Sequence, residues 1–210
     1  MMMTYKKKFY RAIKQTLFIA FLFSVLFIGI SLLNTQGHKE STRQIAEPVI
    51  SEEVRDYRPL VEKYAADYGV TEHVDTILGM MMQESGGRGK DPMQASESYC
   101  GERECIKDPE LSIKQGVSYF SQTLEEANGD IKLAVQSYNF GKGFIQYIHD
   151  KEKDYSQEAA ITFSQEMYAN DPDKEKYRCL RDEAKEIDAC YGDIYYVKSV
   201  ITYRNKLAEE

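Results

Sequence analysis

A chain of 210 residues has room for one to two domains. Its net charge of −7 is unevenly spread: six basic side chains and one acid fall in residues 1–40, a net of +5 there, which leaves −12 on residues 41–210. So acidic a body excludes general binding to phosphate backbones, whose affinity comes largely from Lys and Arg, and nucleic acid is not an expected partner.

From Leu17 to Leu33 no side chain is charged, which is just long enough for a membrane-spanning helix. Lys6, Lys7, Lys8, Arg11 and Lys14 precede it, and positive residues flanking a first apolar segment stay in the cytoplasm. The expected organisation is a cytoplasmic basic segment over 1–15, a single anchor over 16–33, a polar spacer over 34–50 and one domain over 51–210 outside the membrane. A cleaved signal peptide would end in a small-x-small site, which Ser31-Leu32-Leu33-Asn34 does not offer, and no lipoprotein-type cysteine follows.

Beyond the spacer almost every segment has helical spacing and none sustains a period of two, so the domain is predicted to be all-α. Val54, Tyr57, Val61, Tyr64, Ala65 and Tyr68 form one stripe ended by Gly69; these tyrosines read as core. A second helix is predicted from Thr71 through Val74, Ile77, Leu78 and Met81 to Ser85, where Gly86-Gly87 stops it. The stretch from Gly86 to Lys107 is expected to be irregular, and a loop that long in an ordered domain is usually functional. Asp108-Pro109 supplies an N-cap and a first-turn proline for a helix carrying Ile113, Val117, Phe120 and Leu124. Asn128-Gly129 closes it, and Asp130 caps the next, with Ile131, Val135 and Tyr138 before Gly141. Two further helical patterns lie around Ala160, Phe163 and Met167, and from Asp193 through Val197, Val200 and Ile201 to Arg204.

Cys100, Cys105, Cys179 and Cys190 all follow the apolar segment, on the side where disulfides persist. Of the three pairings open to them, the local one joins Cys100 to Cys105 and Cys179 to Cys190, each bracketing a short polar stretch. Zinc is the rival reading, but the spacing lacks the paired gaps and histidine partners of structural sites. No metal and no cofactor is expected.

Glu84 falls on the wheel beside Ile77 and Met81, on the buried side of its helix, with Gln83 facing the opposite way. A carboxyl so placed loses solvation, which favours its protonated form and suits a general acid near neutral pH. The plainer alternative is a buried acid satisfied by a backbone amide or by Arg88. The text that follows, Glu84-Ser85, then Met93-Gln94, then Tyr138-Asn139, with a tail Tyr191-Gly192-Asp193-Ile194-Tyr195-Tyr196-Val197, resembles the lysozyme-like cell-wall hydrolases of Gram-positive bacteria and their conjugative elements, relatives of soluble lytic transglycosylases and goose-type lysozymes.

That resemblance runs from about Val54 to Tyr203. It implies a lysozyme-like helical fold, a groove for peptidoglycan glycan strands, cell-wall or conjugation machinery as partners, and Glu84 as proton donor to the glycosidic oxygen. Between E-S and M-Q only Gly86 to Pro92 intervene, fewer residues than in soluble lytic transglycosylases. The shortened loop brings Asp91 near Glu84 as the expected second carboxyl, with Glu97 behind it and an ordinary turn acid as the alternative. Ser85, Met93, Gln94, Ser96, Tyr138 and Asn139 are the expected substrate contacts: Gln94 can both donate and accept hydrogen bonds, and Tyr138 can stack on a sugar face. A muramidase is the leading expectation. A lytic transglycosylase and a non-catalytic peptidoglycan-binding assembly factor are the alternatives.

Overall fold

The computed structural model describes residues 49–151 and 153–210, and every regular element among them is helical. The basic segment, the anchor over 16–33 and nearly all of the spacer lie outside the described residues. No described helix is long and apolar enough to cross a membrane.

The first predicted helix is two. Helix α1 (Glu52–Asp56) is capped by Ser51, and α2 (Arg58–Asp67) restarts with Pro59 in its first turn. Proline has no N–H to carry the ladder back to the preceding turn, so the chain breaks at Tyr57. Val54, Val61, Tyr64 and Ala65 still face one core, and Gly69 leaves α2 at φ +71°.

After a 3₁₀ turn at Thr71–His73, α3 (Val74–Glu84) runs through the middle of the domain with Ile77, Leu78, Met80 and Met81 fully buried. Its principal partner is the last helix, α10 (Tyr196–Ala208). Gly79 makes that approach possible: a Cβ there would stand 2.9 Å from the Val200 carbonyl oxygen and 3.2 Å from the Arg204 nitrogen.

The stretch after Glu84 contains one short helix, α4 (Ser96–Cys100), where irregular chain was expected throughout. Asp108 caps α5 (Pro109–Glu126) and Asp130 caps α6 (Ile131–Phe140), as their sequences predict. Two helices escape the periodicity reading. Helix α7 (Gly143–Asp150) starts two residues after the Gly141 stop and buries Phe144, Ile145 and Ile148; α9 (Asp182–Glu186) buries only Ala184 and is too short to show a period. Between them α8 (Gln157–Asn170), capped by Ser156, sets Phe163 against Phe140, Phe144, Tyr147 and Tyr191. The final helix begins at Tyr196 rather than Asp193, because the Asp193 side chain accepts the Tyr195 N–H and ties residues 193–195 into a turn.

Candidate active site

Helix α3 ends at Glu84, and its carboxyl opens into a groove of about 660 Å³. One wall is the loop and short helix carrying Asp91, Gln94, Glu97 and Arg103; the other is Tyr119 of α5, Tyr138 and Asn139 of α6, and Tyr191. On its other side Glu84 also lines a second depression, of about 480 Å³, with Gln83, Asn139, Arg181 and Tyr196. The acid thus stands where two stretches of surface concavity meet.

Glu84 is half-buried, and its Oε1 accepts a 2.5 Å hydrogen bond from the hydroxyl of fully buried Tyr196 at the start of α10. Burial pushes its pKa from 4.5 up to about 7; the nearby charges of Asp91 and Asp193 push the same way, and the Tyr196 bond opposes them. Most of the residue's surface is covered even though its carboxyl lines the groove, and desolvation is the largest cause of the rise. Gln83 does not face away from this centre: its amide donates to Asp193 Oδ2 at 3.2 Å, because the last turn of α3 lies against the turn that precedes α10.

Asp91 is held on both of its carboxylate oxygens. Oδ1 accepts the Ala95 N–H at 2.9 Å and the Ser112 hydroxyl at 2.6 Å; Oδ2 accepts the Ser96 N–H at 3.0 Å and the Ser96 hydroxyl at 2.6 Å. A carboxylate offers about four lone-pair sites, and all are taken. Glu97 is exposed on the same wall, with Arg103 on its Oε1 at 2.9 Å.

The expected substrate contacts divide. Gln94, Tyr138 and Asn139 line the groove. Gln94 is exposed at φ +48°, a conformation that non-glycine residues adopt at some cost, and its amide donates to the Asp91 carbonyl at 2.9 Å. Tyr138 turns its hydroxyl to the Met93 carbonyl at 2.8 Å, leaving its ring, edge-on to Tyr119 at 5.4 Å, for the groove. Its ionisation is pushed well above the ordinary tyrosine range by burial. Asn139 Oδ1 accepts the Asp193 N–H at 2.7 Å. Of the other three, Ser85 and Met93 build the wall from behind, while Ser96 also lines the groove. Ser85 donates to the Pro92 carbonyl at 2.7 Å, Met93 is wholly buried, and the Ser96 hydroxyl lies between Asp91 and the Ile106 N–H. Gly116 lets this loop seat on α5: a Cβ there would meet Met93 Cβ at 2.6 Å and the Tyr138 hydroxyl at 2.9 Å.

Both disulfides form as the local pairing predicts, Cys100–Cys105 beside the first groove and Cys179–Cys190 beside the second. The sequence reading assigned no role to Tyr196, Asp193 or Arg181. Tyr196 and Asp193 stand in the tail that carries the resemblance, so a signal existed for two of them.

An all-helical domain with an acid at the end of its central helix, half-sunk in a groove, is the architecture of a lysozyme-like protein. Residues 51–204 match the family model described as Lysozyme-like, and the chain belongs to that family. It is 38% identical over 167 residues to the protein of Bacillus subtilis (strain 168) called uncharacterized membrane protein YocA, covering 77% of this chain and 72% of that one. It is also 44% identical over 115 residues to the bifunctional muramidase/DL-endopeptidase CwlT of the same organism, a match that spans 55% of this chain but only 35% of CwlT. A solved structure similar to it, from Staphylococcus aureus subsp. aureus Mu50 and described as similar to a lipoprotein of the NLP/P60 family, has a TM-score of 0.64 at 38% identity over 74% of this chain and 54% of that one.

Proposed function

We propose that this protein is a membrane-tethered peptidoglycan muramidase that cleaves the β-1,4 bond between N-acetylmuramic acid and N-acetylglucosamine, with Glu84 as general acid. The observation that carries the reading is a carboxyl at the meeting point of two grooves, held protonated toward neutral pH by burial. A protonated Glu84 can give its proton to the departing glycosidic oxygen, and Tyr196 steadies the carboxylate that remains. Gln94, Asn139 and the Tyr138 ring would position the sugars. The kinship with CwlT, which is named a muramidase as well as an endopeptidase and of which the match spans 35%, supports the glycosidase reading.

In the hydrolytic reading Asp91 contributes its charge, stabilising the positive carbon from the groove wall, while exposed Glu97 has lone pairs free to orient water. Saturation of Asp91 by four hydrogen bonds favours a second reading, a lytic transglycosylase in which Glu84 alone serves as acid and then as base for the muramyl C6 hydroxyl. The tether follows the sequence reading of residues 16–33, with the amino terminus cytoplasmic and the domain facing the wall, and the name of YocA as a membrane protein supports it. Digestion of purified sacculi, analysed by mass spectrometry, tests all of this. Reducing muramic ends support hydrolysis, 1,6-anhydro ends support transglycosylation, and intact glycan overturns the enzymatic reading in favour of a binding or assembly factor.

A further inference from the structure

The loop closed by Cys179–Cys190 carries Arg181 to the back of the site. Its guanidinium grips Asp193 with two hydrogen bonds, Nε to Oδ1 and Nη2 to Oδ2, both 2.8 Å, and Nη2 also reaches the Ser199 hydroxyl at 3.0 Å. Its plane lies over the Tyr195 ring at 5.4 Å. Asp193 is almost wholly buried, and its carbonyl accepts both the Tyr196 N–H at 3.1 Å and the Gln136 amide at 3.0 Å. Arg181 therefore ties the residue three before Tyr196 to the residue three after it, clasping the turn of chain from which Tyr196 reaches Glu84.

We propose that Arg181 is a positioning residue for the catalytic centre: its fork-like grip on Asp193 and Ser199 fixes the turn that presents Tyr196 to Glu84, and its charge cancels that of Asp193 behind the acid. A planar, permanently charged fork is the side chain suited to this, since it meets both carboxylate oxygens at once. A buried acid stripped of such a partner is left as an uncompensated charge. The groups facing Glu84 are Tyr196 from α10, Asp193 from the preceding turn, Asp91 from the loop and Tyr138 from α6. None of these is a cation, so Asp193 acts on Glu84 at full strength once Arg181 is gone. Both consequences run in one direction: an uncancelled Asp193 and a loosened Tyr196 each make Glu84 harder to ionise.

The inference rests on Glu84 being the acid, and the test separates the two. The full chain in detergent micelles, labelled with ¹³C at the glutamate carboxyl carbons, gives the Glu84 titration directly, with Glu84→Gln identifying the signal. The pH profile of kcat/KM on purified sacculi gives the functional counterpart. Arg181→Ala should raise the Glu84 midpoint by about one unit, move the alkaline limb upward with it and lower kcat. Arg181→Lys, which keeps the charge but not the fork, should raise the midpoint less than Arg181→Ala does. Arg181→Ala combined with Asp193→Asn should bring it part of the way back. A midpoint unmoved in Arg181→Ala, or no lower in the double variant than in Arg181→Ala, overturns the proposal. If Arg181→Ala does not fold, Asp193→Asn alone must lower the midpoint, because it leaves an unpaired cation there, and an unmoved value is equally fatal. Should Glu84→Gln cleave like wild type, the functional reading fails while the titration still decides the coupling.

Discussion

At the scale of a residue, Glu84 exchanges stability for a usable proton. In the unfolded chain its carboxyl ionises near 4.5; in the fold it does so near 7. Between those values the native state holds a proton that the unfolded state has lost, so stability falls as pH rises from about 4.5 and the full cost is reached above about 7. The shift corresponds to about 3 kcal/mol. Glu84→Gln keeps an oxygen for the Tyr196 hydroxyl and removes the ionisation, so it should abolish glycan cleavage yet melt higher than wild type at pH 8, with the two proteins converging at pH 4. Thermal melts across that range read the effect; a constant difference in Tm would show that Glu84 does not titrate as described. Wild-type cleavage should decline as pH passes upward through about 7. Much of this residue was legible beforehand, because spacing with Ile77 and Met81 already set it on the apolar side of α3. Its partner was not: Tyr196 lies 112 residues away and shares no local pattern with it.

At the scale of elements, the site is a product of how closely three pieces approach. Helices α3 and α10 meet at Gly79, and Glu84 and Tyr196 stand on the same pair of helices. Gly79→Ala places a methyl against backbone that cannot step aside, so it should cost about 1–3 kcal/mol and lower kcat by spreading the two helices; chemical denaturation and the Glu84–Tyr196 hydrogen bond seen by NMR would both report it. The third piece is the loop that Asp91 organises. Asp91 was legible as an acid near Glu84 but its commitments were not, since Ser112 is 21 residues distant and no periodicity links them. In Asp91→Asn the new NH₂ must face one of two backbone N–H groups that the carboxylate now receives, leaving a buried donor unmet at about 1–3 kcal/mol. The expected outcome is a lower Tm together with a slower enzyme. An unchanged Tm with kcat down by about 10²–10⁴ would instead mark Asp91 as a base acting on water. The helix count was readable wherever caps were strong, at Asp108 and Asp130. It failed at Pro59, where a stripe continued through a break, and at α7, where a glycine stop was followed at once by a new helix.

At the scale of the whole molecule, both disulfides flank the grooves rather than brace the α3–α10 core. Cys100–Cys105 closes a loop of sequence separation 5 beside Glu97 and Arg103, and Cys179–Cys190 one of separation 11 that carries Arg181. Loops this short still remove enough freedom from the unfolded chain to contribute about 2–3 kcal/mol each in the chain-entropy model. Their larger consequence is local, because the groups they hold are polar and have little apolar packing of their own; α9, inside the second loop, buries only Ala184. Such bonds persist mainly in oxidising compartments, the environment that the proposed location outside the membrane would supply. Protein isolated from the cell surface should therefore carry no free thiols, and reducing both bridges should lower Tm by about 8–24 °C for a domain of this size. Replacing Cys179 and Cys190 by serine should loosen Arg181 and move the alkaline limb of activity upward, whereas replacing Cys100 and Cys105 should leave that limb in place and weaken glycan binding instead. Equal effects of the two pairs on the pH profile would mean that the bridges act only on global stability.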